Sequence, residues 1–171
     1  QNAAIAAALA TNSALGISPL TPARSAAMAA FCPIMQYHAE SKAEFNQDRT
    51  PWNIAERQNA PWVIDVYRYY AKLRIAMLPY IMESAEKSTK TGVPMMRALW
   101  LEFPEDEKAG SIFDQYMFGD DFMVAPIVEE SATDREVYIP QGIWRNIFTN
   151  ETFSGRQSVR IQVDVKEFIV V

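Results

Sequence analysis

Carboxylates are the most abundant chemically capable side chains in this sequence, which contains 21 Asp and Glu residues. Two of them can cleave a bond together when one acts as an acid and the other as a nucleophile, and the two carboxyl groups must then lie about 5–5.5 Å apart. The candidates are Glu40, Glu44, Asp48, Glu102, Asp106, Asp114, Asp120 and Asp121. Their spacing does not identify a catalytic pair. Asp120 and Asp121 are adjacent, and if they lie on a strand their side chains point to opposite faces of the sheet. We therefore predict no catalytic carboxylate on this chain.

His38 is the only histidine, and it ends the apolar segment of residues 33–38. Without a second histidine or a cysteine cluster, we expect no structural zinc site and predict no metal site. A lone histidine can be a hydrogen-bonded structural residue. Polar residues that end a rigid element and enter a long loop can instead face a ligand, as they do at the rim of (β/α)8 barrels. His38 is therefore a candidate binding residue.

Aromatic side chains, which make up 12% of the residues, offer a second kind of binding surface. Trp52 lies in the polar stretch of residues 39–60, where its ring could stack on a sugar ring. The alternative is a hydrophobic plug that anchors this stretch on the core.

Composition narrows the classes of function. The formal net charge of −5 disfavours nonspecific binding to nucleic acid or to an anionic membrane. No apolar run reaches the roughly 18 residues of a membrane span. Cys32 is the only cysteine, so no internal disulfide can form, and we expect its small thiol in a core. Nucleotide-binding glycine motifs and a nucleophile elbow are absent from the sequence.

Helices are the first elements expected to position these residues. Thr21 and Pro22 favour the start of a helix over residues 22–32. Residues 33–38 predict either a buried strand or the bent end of that helix, and residues 39–60 predict a long loop. Apolar residues at three- and four-residue steps predict a helix over residues 62–88, kinked or broken at Pro79 and ended by Gly92.

Short strands are expected to follow the helices. The predicted strands cover residues 95–103, 122–128, 136–139, 143–148 and 159–163. Gly142 and Gly155 mark turns. Because helices precede strands, we predict two structural pieces with a boundary near Gly119.

Three longer motifs resemble those of a known family. They are PMMRALWLEFP at residues 94–104, DQYMFGDDFMVAPI at residues 114–127, and FCPIMQYH at residues 31–38. The last is similar to a phenylalanine-x-proline segment that ends in histidine. Shorter matches are Pro51 with Trp52, Leu73 with Arg74, residues 78–80, Gly92, residues 124–126, and residues 137–140 with Gly142 and Trp144. In this order and spacing, residues 26–152 resemble glycoside hydrolase family 31, the α-glucosidase and α-xylosidase family.

The resemblance implies a fold of the class α/β plus β. Residues 1–118 would form the C-terminal portion of a (β/α)8 catalytic barrel, mostly helical here. Residues 119–171 would start the proximal C-terminal β-sandwich domain, built of antiparallel strands. The implied reaction is retaining hydrolysis of terminal α-linked glucose or xylose residues, without a metal or organic cofactor. The implied partner is an α-glycoside or oligosaccharide, and neither nucleic acid nor a membrane.

The resemblance also assigns roles to single residues. His38 matches the histidine that hydrogen-bonds hydroxyls of the sugar at the cleaved position, while Gln36 stands where many relatives have arginine. The family's catalytic aspartates lie upstream of these motifs and have no match here. We therefore expect a fragment that is inactive alone and able to self-associate through exposed barrel surface. The alternative is a non-catalytic scaffold or carbohydrate-binding piece that uses His38 and Trp52.

Overall fold

Helices make up most of the described residues in the first half of the chain, in the computed structural model. The structure describes residues 20–36, 50–129, 132–163 and 169–171. The longer helices are α1 (Leu20–Ala30), α2 (Pro51–Arg57), α3 (Trp62–Ala76) and α4 (Leu78–Thr91). Both α1 and α2 pack on α3. Ala23, Ala27 and Ala30 lie on one buried face of α1, where small side chains allow a close approach. Within these ranges, no helix is both long and apolar enough to cross a membrane.

The long predicted helix is broken, as the proline indicated, between α3 and α4. The break falls at Met77, whose backbone N–H bonds the carbonyls of Leu73 and Ile75. Pro79 then occupies the first turn of α4, where a missing N–H costs nothing because no intrahelical partner is available there. Gly92 ends α4 with φ 75°, and its N–H bonds the Ser88 carbonyl, which confirms its predicted role.

The segments around α1 and α2 differ from expectation. Of the two alternatives for residues 33–38, the buried strand is not formed in the described part, since residues 34–36 have no regular structure and Ile34 is 72% exposed. The stretch predicted as a loop contains α2, which Thr50 caps by accepting a hydrogen bond from the Asn53 N–H at 3.4 Å. This cap and Pro51 at the helix start repeat the Thr-Pro signal that was recognised only at α1.

The strands begin with a shorter element than predicted. β1 covers only Met96–Ala98, and a helical turn, α5 (Leu99–Glu102), follows it. A buried strand was predicted here because the run is apolar, but only Leu99 of the turn is buried. Leucine and glutamate also favour helix over strand. Another short helix, α6 (Glu107–Gly110), precedes the remaining strands. These are β2 (Tyr116–Phe118), β3 (Phe122–Ala125), β4 (Asp134–Ile139), β5 (Ile143–Arg145), β6 (Thr152–Ser154), β7 (Gln157–Gln162) and β8 (Ile169–Val170).

The described strands form three antiparallel sheets. The largest has the order β1-β2-β3-β8, while β4 pairs with β7 and β5 pairs with β6. Helices followed by antiparallel strands are the order that the sequence predicted. The predicted division between residues 118 and 119 falls in the turn between β2 and β3 and stays a prediction.

The four-stranded sheet is buried on both faces. In β2, Tyr116 and Phe118 belong to the core that includes α1, α3 and α4, while Met117 belongs to the core shared with β4 and β7. β3 and β8 alternate in the same way, since Val124 and Val170 face the helices. This sheet is therefore the layer on which both cores are built.

The turn between β2 and β3 is tied to α4 through Gly119. The glycine has φ 64°, a left-handed conformation that other residues adopt only at a cost. Next to it, the Tyr80 hydroxyl donates to the Phe118 carbonyl at 3.1 Å and accepts from the Asp121 N–H at 3.0 Å. A Cβ at position 119 would overlap that hydroxyl and would lie 2.6 Å from Tyr80 Cζ.

We expect Gly119→Ala to destabilise the natural protein that carries this sequence by about 2 kcal/mol or more, because the left-handed backbone alone costs about 1–2 kcal/mol. Displacing Tyr80 would also break its two hydrogen bonds to the turn. The melting temperature measures this, with Gly110→Ala as the matched control, since a Cβ there meets nothing within 4 Å. Equal melting temperatures for the two variants would contradict the prediction.

Candidate functional site

The two residues predicted to bind a ligand differ in what the structure shows of them. His38 lies outside the described residues, and so do the candidate carboxylates Glu40, Glu44 and Asp48. What is described is the approach to His38, residues 31–36, and the second candidate, Trp52, near the start of α2.

Trp52 presents its ring to the surface of the described structure. Its side chain is 61% exposed, and the ring centroid lies 6.5 Å from that of Tyr67, with the planes tilted by 55°. The anchoring of α2 comes from Ile54 and Ala55, which are buried. An exposed indole beside a second aromatic ring provides an apolar face that can stack on a sugar ring.

The approach to His38 starts from a deeply buried residue, Phe31. Its side chain has no exposed surface, and its ring makes edge contacts with Phe118 at 6.3 Å and with Phe122 at 6.1 Å. The hydroxyl of Tyr116 in β2 donates to the Phe31 carbonyl at 3.3 Å. The four-stranded sheet thus holds the start of this segment.

Arg74, in the last turn of α3, holds the next residues of the segment. Its guanidinium donates to the carbonyls of Ala30 at 3.1 Å and Pro33 at 2.7 Å, and also to that of Cys32. Because α1 ends at Ala30, carbonyls in this region lack intrahelical partners, and Arg74 supplies donors for them. Burial lowers the pKa of Arg74, but an arginine remains charged.

Cys32 lies between these two anchors and is half-buried. Burial raises the pKa of its thiol, and this outweighs the opposing effects of the Tyr116 hydrogen bond and the Arg74 charge. Because the thiolate is the nucleophilic form, a raised pKa keeps Cys32 unreactive at neutral pH. This agrees with the expectation that Cys32 is a packing residue.

Four of the described candidate carboxylates, Glu102, Asp106, Asp114 and Asp120, make structural contacts. Asp106 caps α6 and accepts from the Tyr138 hydroxyl at 2.7 Å, while Asp114 binds Arg135 at 2.5 Å. Glu102 and Asp120 both contact Arg97, whose side chain is only 5% exposed. A hydrogen bond from Lys87 is the main cause of a lowered pKa at Asp120, which is the opposite of what a general acid needs. Within the described ranges, no cluster of three potential metal ligands occurs.

Sequence reasoning missed the structural roles of Arg74 and Tyr116. Their contacts to the segment of residues 30–33 span 41 to 85 positions along the chain, so no local pattern reveals them. Arg74 does offer one signal, because it is a charged residue among the apolar residues of a strongly periodic helix. Tyr116 lies within a motif that was recognised only by family resemblance.

Two family models match the chain. The model described as the glycosyl hydrolases family 31 TIM-barrel domain matches residues 19–84, and the glycosyl hydrolase family 31 C-terminal domain matches residues 92–171. These matches confirm the predicted fold class: a barrel end followed by the C-terminal domain.

Individual relatives agree with the family models. The chain is 35% identical over 149 residues to an isomaltosyltransferase of Sporosarcina globispora, covering 86% of this chain and 14% of that protein. It is 37% identical over 134 residues to a 1,3-alpha-isomaltosidase of Kribbella flavida, covering 75% of this chain and 18% of the relative. The chain therefore spans less than a fifth of either protein.

Solved structures of carbohydrate-active enzymes are also similar to this chain. A cycloalternan-forming enzyme from Listeria monocytogenes, in complex with a pentasaccharide substrate, matches with a TM-score of 0.87 and 37% identity. That match covers 92% of this chain and 15% of the enzyme. A cycloalternan-degrading enzyme from Trueperella pyogenes, in complex with isomaltose, matches with a TM-score of 0.83 and 34% identity over 88% of this chain and 22% of the enzyme. The chain belongs to glycosyl hydrolase family 31, whose members matched here include α-glucosidases and transferases.

Proposed function

We propose that the protein carrying this sequence is a retaining glycosidase that acts on terminal α-linked glucose or xylose residues. The observation that carries the proposal is the likeness, at 37% identity, to an enzyme solved with a pentasaccharide substrate. Glucose is the favoured sugar, because related enzymes were solved in complex with isomaltose and with α-D-glucose. A related enzyme was solved with a covalent intermediate, and retaining hydrolysis proceeds through a covalent glycosyl-enzyme.

In this proposal the chain supplies sugar contacts and no catalytic carboxylate. His38 donates or accepts hydrogen bonds to hydroxyls of the sugar at the cleaved position, and Trp52 provides a stacking face. The exposed indole of Trp52 supports the second role. Glu102 and Asp120 contact Arg97, Asp114 contacts Arg135, and Asp106 contacts Tyr138, which supports a catalytic acid and nucleophile that come from elsewhere in the enzyme.

For His38→Ala in the full-length enzyme, we expect catalytic efficiency on an aryl α-glucoside to fall about 10²–10³-fold, because hydrogen bonds that strengthen at the transition state are lost. The melting temperature should change little. An aryl α-xyloside measured in parallel decides between the two sugars. A destabilised variant that keeps its efficiency in the folded fraction would refute the sugar-binding role.

For Trp52→Ala, we expect KM for an α-linked oligosaccharide to rise about three- to tenfold, because aromatic contacts of this kind contribute about 0.5–1.5 kcal/mol. Trp52→Phe keeps a ring and should recover part of the loss. Since the side chain is 61% exposed, neither variant should melt much earlier than the parent. An unchanged KM in Trp52→Ala with a large drop in melting temperature would indicate a structural role.

The 171-residue chain expressed alone should not turn over aryl α-glucosides, because it lacks a positioned acid and nucleophile. It should also self-associate, since α3 and α4 expose Ile75 at 65% and Met82 at 66%. Light scattering and binding of an apolar dye would measure this. Turnover by the purified chain would contradict the first expectation, and a dilute monomer that binds no dye would contradict the second.

The non-catalytic alternative makes a different prediction for the same sample. A scaffold or carbohydrate-binding piece would exist naturally at this length and would bind oligosaccharides without turnover. Intact mass and N-terminal sequence of the natural protein, together with calorimetry against isomaltose, distinguish the two proposals.

A further inference from the structure

Trp52 and Tyr67 bring two aromatic rings together at the surface of the described structure, and we call this pair the aromatic corner. The side chain of Trp52 is 61% exposed, and Tyr67 is half-buried beside it, with the two ring centroids 6.5 Å apart. Rings that reach the surface in this way lose contact with water when the apolar face of a ligand covers them, which favours binding.

The aromatic corner has a rigid support in the packing of α2 on α3. Ile54 of α2 and Val63 of α3 belong to one small core, which holds the two helices together. Tyr67 follows Val63 by four positions, so both side chains lie on the side of α3 that meets α2. Trp52 lies in the first turn of α2, whose start is capped by Thr50. Because each ring is carried by a packed helix, the corner is formed before a ligand arrives, which lowers the cost of binding.

The angle between the two rings selects the shape of the ligand. Their planes are tilted by 55°, so no single flat surface can lie on both rings. Successive rings of an α-linked oligosaccharide are turned relative to one another, whereas a β-1,4-linked chain of glucose extends as a flat ribbon. The aromatic corner therefore fits a bent, α-linked chain that places a different sugar ring on each aromatic face.

The aromatic corner has the chemistry of a binding surface and not of a reaction centre. Retaining hydrolysis needs an acid and a nucleophile at the cleaved bond, and aromatic faces supply neither. They also hold a sugar ring equally well in the ground state and in the transition state. Such uniform binding lowers KM without raising kcat. The corner is therefore suited to sugar units away from the cleaved bond.

We propose that Trp52 and Tyr67 together form a subsite for those sugar units of an α-linked oligosaccharide that lie beyond the cleaved one. Tyr67 is then a specificity-determining residue, which favours longer α-linked chains over short substrates. This inference rests on the proposed glycosidase function. It adds to that proposal a second ring, a preferred linkage and a preference for chain length.

The test measures kcat and KM of the full-length enzyme with two substrates. α-Glucosyl fluoride has no sugar unit beyond the cleaved one, and isomaltotetraose has three. Tyr67→Ala should raise KM for isomaltotetraose about three- to tenfold with kcat unchanged, and should leave both constants for α-glucosyl fluoride unchanged. Tyr67→Phe keeps the ring and should retain the KM of the parent. Tyr67→Leu keeps apolar bulk without an aromatic face and replaces Tyr67→Ala if that variant does not fold.

Tyr69→Ala is the matched control. Tyr69 lies on the same helix and is 52% exposed, but its ring contacts Tyr70 and Phe148 at 5.2 and 6.5 Å. Two positions along a helix place it on a different side from Tyr67. At a temperature where the variant is folded, Tyr69→Ala should therefore leave KM for both substrates unchanged.

A cycle with Trp52→Ala tests whether the two rings act as one subsite. If they do, the increases in KM for isomaltotetraose should not multiply independently in the double variant. Independent increases, equal increases for both substrates, or a lower melting temperature with unchanged KM would overturn the inference and leave the proposed function intact. Inhibition by cellotetraose that Tyr67→Ala relieves would also overturn it, because that chain is β-linked. A parent enzyme that hydrolyses neither substrate would instead refute the proposed function, and the inference with it.

Discussion

Strand β2 has both faces buried, so it needs two apolar layers to cover it. Tyr116 and Phe118 point to the helices, and Met117 points to the second core. β3 and β8 repeat this alternation, which is why three short strands can support two cores. Phe31, and Met77 and Ile81 on either side of Pro79, belong to the core that covers the helical face of this sheet. The same contacts hold Phe31, which begins the sequence segment that ends in His38.

Charge is arranged around the sheet in a way that favours structure over catalysis. Arg97 is buried on β1, donates to the Gly119 carbonyl at 2.8 Å, and contacts the carboxylates of Glu102 and Asp120. A buried guanidinium needs such partners, since an unpaired charge in a low dielectric is costly. The outer pair of Lys87 and Asp120 is more than half exposed on both sides and contributes little by itself. Glu102 and Asp120 thus compensate the charge of one buried arginine.

Local sequence patterns predicted the features that depend on neighbouring residues. The periodicity of residues 62–88, the break near Pro79 and the left-handed Gly92 were all readable. β2 was not, because a strand buried on both faces shows no alternation of apolar and polar residues. α2 was missed because seven residues are too few for a convincing helical period. At the site, the exposure of Trp52 and the reach of Arg74 depend on residues distant in sequence. His38 was nominated by its place at an element end and by family resemblance, and it stays a prediction.

The hydrogen bond between Tyr116 and Phe31 joins residues 85 positions apart, and this has a consequence for biosynthesis. At translation rates of about 5–20 residues per second, Phe31 emerges roughly 4–17 s before the strand that receives it. During that interval α1 and its alanine face can pair with α3, but the aromatic ring of Phe31 has no sheet to enter. The packing of Phe31 is consequently completed late, only after the nascent chain has delivered β2 and β3.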